Sequence, residues 1–140
     1  RLVRSESLLD PSLAPLEGAS RVVGVGFGIG SPEGVERVKQ FARAIGAGLC
    51  ATRRVTDAGW VARQLQVGLT GKAIETQLYF AIGIRGAPNH VVGIKRAATV
   101  VAINNDPDAP IFERADIGLV TAWDAILPLL EEAMRAAPRP

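Results

Sequence analysis

The residues best suited to chemistry lie in one short segment, residues 83–90, which follows an uncharged stretch of the chain. Arg85 carries a positive charge, Gly86 frees the backbone, and Pro88 suits the first turn of a helix. Free N–H groups at such a helix start, with an arginine beside them, would bind a pyrophosphate. His90 lies in the first turns of the same helix, where a histidine either contacts a ligand or forms a structural hydrogen bond. The sequence leaves both roles open.

Two other glycine-rich segments could also bring backbone N–H groups to a ligand. Residues 24–30 are one, but Ile29 or Ser31 stands where a G-x-G-x-x-G dinucleotide fingerprint needs its third glycine. Residues 68–72 resemble part of a phosphate-binding P-loop, yet Gln66 stands where that loop needs its first glycine. Each segment is equally compatible with an ordinary turn. Neither is a nucleotide-binding signature by itself.

Polar side chains follow two further predicted strands. Arg53 and Arg54 come after one of them, and Asn104 comes after the other. An arginine there can bind a ligand or remain solvated, and an asparagine can bind a sugar or base or form an Asx-turn. The sequence contains one histidine and one cysteine, Cys50, which excludes a His-rich or all-cysteine metal site. No arrangement of serine, histidine and acid in the sequence indicates covalent catalysis.

The composition indicates a single domain. The chain has 140 residues, of which 48% are hydrophobic, and its formal net charge is only +2. This weak charge, together with 5% aromatic residues, argues against nucleic-acid binding. No apolar run approaches the roughly 20 residues that a membrane helix needs, so we expect no membrane insertion. We expect the domain to span residues 20–137, with a linker or arm at 1–19 and a tail at 138–140.

Short uncharged stretches alternate with helical patterns between these ends. The predicted strands are residues 21–25, 48–52, 78–84, 98–103 and 117–120, with a short extra strand at 65–68. Ser31 and Pro32 predict a helix start, and further helices are expected from about Gly86 and after Thr121. The alternation predicts an α/β fold, a doubly wound, mainly parallel Rossmann-like sheet of five to six strands with helices on both faces. Such a sheet binds ligands at the carboxyl ends of its strands.

A series of multi-residue motifs follows in a fixed order from about Ser20 to Leu130. They are ATR at 51–53, DAGW at 57–60, QVGLTGK at 66–72, LYFAIGI at 78–84, GAPNH at 86–90, AINNDPDAPIF at 102–112 and AD at 115–116. Their order and spacing resemble the C-terminal, FAD-binding domain of the electron transfer flavoprotein alpha subunit. That resemblance implies a Rossmann-like sheet of the DHS-like NAD/FAD-binding type, with FAD bound at the strand ends. It also implies that residues 1–19 link this domain to an N-terminal domain.

The resemblance also implies roles for individual residues. Arg53 would lie beside the flavin ring, and Thr70 would form a hydrogen bond with its reactive nitrogen. His90 would approach the pyrimidine edge, where a positive group favours the reduced anionic flavin. Residues 85–89 would hold the pyrophosphate, and Asn104 the adenosine portion. The complete set of implied FAD-binding residues is Thr52, Arg53, Val67, Gly68, Leu69, Thr70, Arg85, Gly86, Ala87, Pro88, Asn89, His90 and Asn104.

For function, the resemblance implies an electron carrier rather than an enzyme. Family members form a heterodimer with a beta subunit and pass electrons from several dehydrogenases to a membrane-bound quinone oxidoreductase. We therefore expect FAD as the cofactor and these proteins as partners. The expected location is the cytoplasm in a bacterium, or the mitochondrial matrix in a eukaryote.

This chain departs from the family pattern at several positions. Phe27 stands where the family has arginine, Leu69 where it has glutamine, and Ala122 where it has an acid. In the pyrophosphate loop, Arg85 replaces a serine and Asn89 replaces a glutamine. Two alternatives therefore stay open. One is a non-redox nucleotide-binding or interaction module, and the other is an adenine-dinucleotide-dependent oxidoreductase with the single histidine as its proton donor.

Overall fold

Strands and helices alternate along the part of the chain that the structure, a computed structural model, describes: residues 13–69 and 71–136. The strands are β1 (Arg21–Val25), β2 (Gly48–Ala51), β3 (Glu75–Ile82), β4 (Arg96–Asn104) and β5 (Ile117–Val120). The α-helices are α1 (Pro32–Ala44), α2 (Arg53–Asp57), α3 (Pro88–Gly93), α4 (Ile111–Arg114) and α5 (Trp123–Ala136). Short 3₁₀ turns occur at Phe27–Ile29 and Arg63–Leu65. The tail predicted at 138–140 and most of the predicted arm, residues 1–12, lie outside the described residues.

The five described strands form one parallel sheet with the order β2-β1-β3-β4-β5. From β1 the chain passes to β2 on one side and then crosses to β3 on the other, which places the topological switch point between β1 and β3. The two strands are aligned so that Val25 pairs with Ile82 at their carboxyl ends. In a sheet of this order, the crevice at the switch point is where ligands bind. The prediction of a doubly wound parallel sheet is confirmed.

A hydrophobic core lies on each face of the sheet and packs the sheet against the helices. On one face, α1 and α5 pack against the sheet, and the Phe41 and Phe80 rings meet edge to face with centroids 5.5 Å apart. On the other face, Tyr79 and Val100 are buried together with Ile94. Because β1 is buried along its whole length, it shows no polar alternation, as expected for a central parallel strand.

The predicted element boundaries differ from the structure at several elements. Strand β4 covers Arg96–Asn104 instead of residues 98–103, and β3 ends at Ile82 instead of residue 84. Strand β3 begins at Glu75 instead of residue 78, because pairing with β4 extends it beyond its uncharged part. The extra strand at 65–68 is wrong, since this stretch forms only isolated bridges, from Gln66 to Ala51 and from Val67 to Lys72. The second strand ends at Ala51, and the two arginines after it begin α2 because the Thr52 carbonyl accepts hydrogen bonds from the first turn of that helix.

Helix α1 starts and stops where its local sequence predicts. The Ser31 side chain accepts a hydrogen bond of 3.0 Å from the Gly34 N–H, and Pro32 occupies the first helical position. Gly46, which has a φ of +70°, turns the chain away after the helix. This helix therefore runs back from the carboxyl end of β1 and leaves the glycine-rich turn before it, residues 26–30, at the edge where the site lies.

Candidate functional site

A cavity of about 450 Å³ lies at the carboxyl ends of the strands, at the switch point of the sheet. Its walls come from the turns that follow β1 to β4 and from the loop between α2 and β3. The lining residues are Gly26, Phe27, Gly28, Thr52, Arg53, Arg54, Gln66, Val67, Gly68, Leu69, Gly83, Ile84, Arg85, Gly86, Ala87, Asn89, His90, Asn104 and Asp106.

This cavity brings together the predicted site residues, with two exceptions. Pro88 begins α3 but does not line the cavity. Thr70 lies outside the described residues. All the others are lining residues, although they come from segments that are far apart in the sequence.

Close backbone packing explains the glycines of the turns after β1 and β3. The Gly26 N–H donates to the Ile82 carbonyl at 2.9 Å, and the Gly28 N–H donates to the Gly83 carbonyl at 3.0 Å. A Cβ atom on Gly26 would lie 2.2 Å from the Gly83 carbonyl oxygen. These glycines therefore allow two turns to touch at the switch point, as in an ordinary tight turn.

The turn after β3 leaves backbone donors without protein acceptors. Gly86 has a φ of +96° and packs against the backbone of Ile111, while the Arg85 carbonyl accepts a hydrogen bond of 2.8 Å from the Ile111 N–H. The N–H groups of Gly86 and Ala87 donate to no acceptor among residues 13–69 and 71–136. Backbone N–H groups that line a cavity and have no acceptor in the protein are suited to binding an anion.

The loop that carries Val67, Gly68 and Leu69 is fixed by backbone hydrogen bonds at both ends. The Val67 N–H donates to the Ala51 carbonyl at 3.0 Å, and the Leu69 N–H donates to the Asn89 carbonyl at 2.7 Å. The loop is therefore anchored to the end of β2 and to α3. It leaves the Leu69 side chain 64% exposed at the rim of the cavity.

His90 forms two buried hydrogen bonds with other parts of the protein. Its Nδ1 lies 2.9 Å from the Val67 carbonyl oxygen, which can only accept, so Nδ1 carries the proton. Its Nε2 lies 2.8 Å from the Tyr79 hydroxyl, and that oxygen in turn accepts from the Cys50 thiol at 3.7 Å. Burial lowers the pKa of His90 below 6.5, although the bond to Val67 opposes this shift. His90 is therefore neutral at pH 7, with Nε2 as the acceptor.

The structural role is one of the two roles of His90 that the sequence left open, and the network shows it: both ring nitrogens form hydrogen bonds within the protein. His90 is only 5% exposed, yet it remains one of the residues that line the cavity. The role of His90 beside the pyrimidine edge of a flavin stays a prediction. Burial also raises the pKa of Cys50 to about 12, so its thiol stays protonated.

The asparagine after β4 adopts the turn structure that was weighed against ligand binding. The Asn104 side chain donates from Nδ2 to the Ile84 carbonyl at 3.0 Å and accepts at Oδ1 from the Asp106 N–H at 2.9 Å. This Asx-turn connects the ends of β3 and β4. Asn104 and Asp106 both line the cavity, so the turn shapes one of its walls.

Three arginines give the cavity a positive character. Arg53 lies 3.4 Å from an Asp57 carboxylate oxygen, and Arg85 lies 3.7 Å from one of Asp106. Both pairs are solvent-exposed, so each contributes little to stability. The third arginine, Arg54, lies over the ring of Phe27 with its guanidinium carbon 4.1 Å from the ring centroid.

A comparison with known protein families agrees with this geometry. Residues 15–95, more than half of the chain, match the model of the electron transfer flavoprotein FAD-binding domain. This chain belongs to that family. The resemblance found from the sequence motifs is thereby confirmed.

Curated relatives support the same assignment. The electron transfer flavoprotein subunit alpha of Thermoanaerobacterium thermosaccharolyticum is 43% identical over 120 residues, which are 86% of this chain and 36% of that protein. The protein FixB of Azorhizobium caulinodans is 45% identical over 127 residues, 91% of this chain and 34% of the relative. A probable mitochondrial electron transfer flavoprotein subunit alpha of Caenorhabditis elegans is 45% identical over 116 residues, 83% and 35% of the two chains. This chain thus spans about a third of the length of these relatives.

The residues at the cavity fit the cofactor after which the family is named. The volume of about 450 Å³ is in the range of small-molecule sites. The unused N–H groups of Gly86 and Ala87, with Arg85 beside them, are the donor set that a dinucleotide's pyrophosphate needs. The described residues contain no cluster of three or more metal-ligating side chains and no helix long and apolar enough to cross a bilayer.

Several lining residues were not predicted as part of the site of this FAD-binding domain. Phe27 was noted only as a departure from the family, and Arg54 only as a second arginine in a pair. The Gln66 side chain accepts a hydrogen bond of 2.7 Å from the buried Thr56 hydroxyl, which connects the start of this loop to α2. The sequence signals that could have indicated them are the glycine-rich segment around Phe27, the adjacency of Arg54 to Arg53, and the motif at 66–72 that contains Gln66.

Proposed function

We propose that this chain is the FAD-binding module of an electron transfer flavoprotein alpha subunit and that it carries electrons instead of catalysing a reaction of its own. The observation that carries the proposal is the cavity at the β1/β3 switch point, where unpaired N–H groups and arginines converge in a member of this family. When bound, the flavin would supply the reversible redox chemistry. The chain's own residues would hold, orient and charge-balance it.

The donors around α3 are assigned to the phosphate end of the cofactor. The N–H groups of Gly86 and Ala87 would receive the pyrophosphate, and Arg85 would balance its charge. Arg85 now pairs with Asp106 across 3.7 Å, with three quarters of its side chain exposed, so it can turn to a phosphate at little cost. The Asx-turn at Asn104 lies next to this loop and would border the adenosine portion.

The flavin ring is assigned to a second set of lining residues, Thr52, Arg53 and residues 67–69. The loop that carries 67–69 is held in place by its hydrogen bonds to β2 and α3. Arg53 would place its positive charge near the ring. By the sequence resemblance, the Thr70 hydroxyl would form a hydrogen bond with the reactive nitrogen of the ring.

The lack of a free proton donor favours a carrier over an oxidoreductase. The only histidine has both ring nitrogens hydrogen-bonded, and burial raises the pKa of Cys50 and of Tyr79 well above neutrality. Among the described residues, the groups at the cavity are therefore suited to binding and electrostatics rather than to acid–base work. If no flavin binds, the alternative of a non-redox module is favoured instead.

Partners follow from the family. We propose that a beta subunit completes the site in a heterodimer, that dehydrogenases donate the electrons and that a quinone oxidoreductase accepts them. Relatives named as mitochondrial and relatives from bacteria both occur among the matches. We accordingly propose the mitochondrial matrix or the bacterial cytoplasm, according to the source organism.

A flavin titration tests this proposal. FAD is added to the full-length protein together with its beta subunit, after removal of bound flavin, and binding is followed by visible absorbance with ADP as the competitor. We expect about one FAD per alpha chain, displaced by ADP. The Arg85→Gln variant should weaken binding several-fold, whereas Arg96→Gln, which removes an equally exposed arginine outside the cavity, should not. Absence of flavin binding in the wild-type complex would overturn the proposed function.

A further inference from the structure

A stack of three side chains connects the first glycine-rich turn to the segment after β2. The rings of Phe27 and Trp60 are nearly parallel, with an interplanar angle of 5° and centroids 4.9 Å apart. Arg54 also lies over the Phe27 ring, with its guanidinium carbon 4.1 Å from the ring centroid. Phe27 therefore contacts both an aromatic ring and a cation.

The backbone around α2 explains how the stack forms. The Ala58 N–H donates to the Arg54 carbonyl at 3.1 Å, and the Trp60 N–H donates to the Val55 carbonyl at 3.2 Å, so the chain reverses direction at the end of this short helix. Trp60 packs partly against the hydrophobic core next to α1. The stack thus begins at the core with Trp60 and ends with Arg54 at the cavity.

Arg54 differs from the other two cavity arginines in its charge balance. Arg53 and Arg85 each lie within 4 Å of a carboxylate, from Asp57 and Asp106 respectively. Arg54 has no carboxylate partner in the described part of the chain, and its guanidinium is placed by an uncharged ring. Its positive charge is consequently the least compensated of the three at this cavity.

The position of this charge points to the phosphate end of the cavity. The turn that carries Phe27 is bonded to the turn after β3, through the 3.0 Å hydrogen bond from the Gly28 N–H to the Gly83 carbonyl. The unused N–H groups belong to Gly86 and Ala87, which are three and four residues after Gly83. The turn that holds the Phe27 ring under Arg54 therefore adjoins the turn with the unpaired amide donors, and Arg54 lines the same cavity as they do.

We propose that Arg54 is a further ligand-binding residue of this site, that it binds the pyrophosphate of the dinucleotide, and that Phe27, supported by Trp60, is its positioning residue. This inference rests on the proposed function, because the ligand is the dinucleotide assigned there. A guanidinium suits the task, since it can stack on a ring through its face and donate to phosphate oxygens through its edge.

The test compares ligand affinity among variants of the full-length protein with its beta subunit, after removal of flavin. The probes are FAD and ADP, and each titration is repeated at low and high salt. Arg54→Gln should weaken both ligands about tenfold and should flatten the salt dependence, because a charge-assisted hydrogen bond is lost. Arg37→Gln is the matched control: Arg37 lies over the Trp123 ring at 5.4 Å, the same kind of contact, but it does not line the cavity. It should bind like wild type.

A double-mutant cycle tests the positioning role of Phe27. Phe27→Leu removes the aromatic face and should weaken binding several-fold. Phe27→Tyr keeps that face and should therefore retain most of the wild-type affinity. In the Arg54→Gln background, Phe27→Leu should have no further effect, because the cation that it positions is gone. A general folding defect would lower affinity in both backgrounds.

The outcomes separate this inference from the proposed function. If the wild-type complex binds neither FAD nor ADP, the proposed function fails first. If wild type binds both and Arg54→Gln binds equally well, the inference alone is overturned. If Arg54→Gln weakens FAD but leaves ADP unchanged, the assignment of Arg54 to the pyrophosphate is overturned.

Discussion

Replacing Tyr79 by phenylalanine tests the buried network beneath the cavity. In the wild-type protein the Tyr79 hydroxyl donates to His90 Nε2 at 2.8 Å and accepts from the Cys50 thiol at 3.7 Å. Tyr79 and Cys50 have no solvent exposure, and His90 is 5% exposed. Phenylalanine fills almost the same space but leaves the imidazole acceptor without a donor where water cannot replace it.

The magnitude of the effect follows from this loss. A buried polar group left without its partner costs about 1–3 kcal/mol, and the weak thiol contact adds little, so we expect Tyr79→Phe to lower the free energy of unfolding by about 2 kcal/mol. Urea unfolding followed by the fluorescence of Trp60 and Trp123 measures this quantity. With a slope of about 1–3 kcal/mol per molar urea, the midpoint should fall by roughly 1 M at an unchanged slope.

Two comparisons make this prediction refutable. In a His90→Leu background the same tyrosine substitution should cost much less, because the acceptor is already gone. Arg96→Gln, at an exposed pair with Glu75 separated by 4.0 Å, should leave the midpoint unchanged. A Tyr79→Phe midpoint equal to wild type, or an equal loss in both backgrounds, would refute the reasoning.

Two further predictions concern the histidine and the switch point. Because the pKa of His90 in the folded protein lies below its ordinary value of 6.5, the unfolded chain binds the proton more readily. Stability should therefore fall as the pH drops from about 7 through 6.5 and below, by at most about 1.4 kcal/mol per pH unit. His90 is the only histidine, so His90→Gln should remove this slope in urea unfolding between pH 7 and 5.5, and a slope that persists would contradict the assignment. Gly26→Ala should destabilise the protein by about 1–3 kcal/mol, since its Cβ would lie 2.2 Å from the Gly83 carbonyl oxygen; a thermal unfolding temperature equal to wild type would contradict the close packing of the two turns.

The sequence by itself determined the elements and the family. The strands are mostly uncharged runs, and α1 has a serine cap followed by proline. These features act within a few residues and so can be read locally. Because the motifs occur at fixed spacing, they also predicted which strand ends carry the site. Boundaries were less accurate, as at Glu75, where pairing with a neighbouring strand extends β3 beyond its own pattern.

Only the tertiary structure decided how the site residues are used. The order of the strands brings Phe27 next to Arg54 and Trp60, and this contact between distant segments leaves no local signal in the sequence. The sequence shows that Phe27 stands where the family pattern has arginine. It does not show that the guanidinium of Arg54 lies over the Phe27 ring. In the same way, the pairing of His90 with Tyr79 depends on where α3 packs against β3. Local patterns specify which elements form, whereas long-range packing at the switch point determines which charges and hydrogen-bond donors remain free for a ligand.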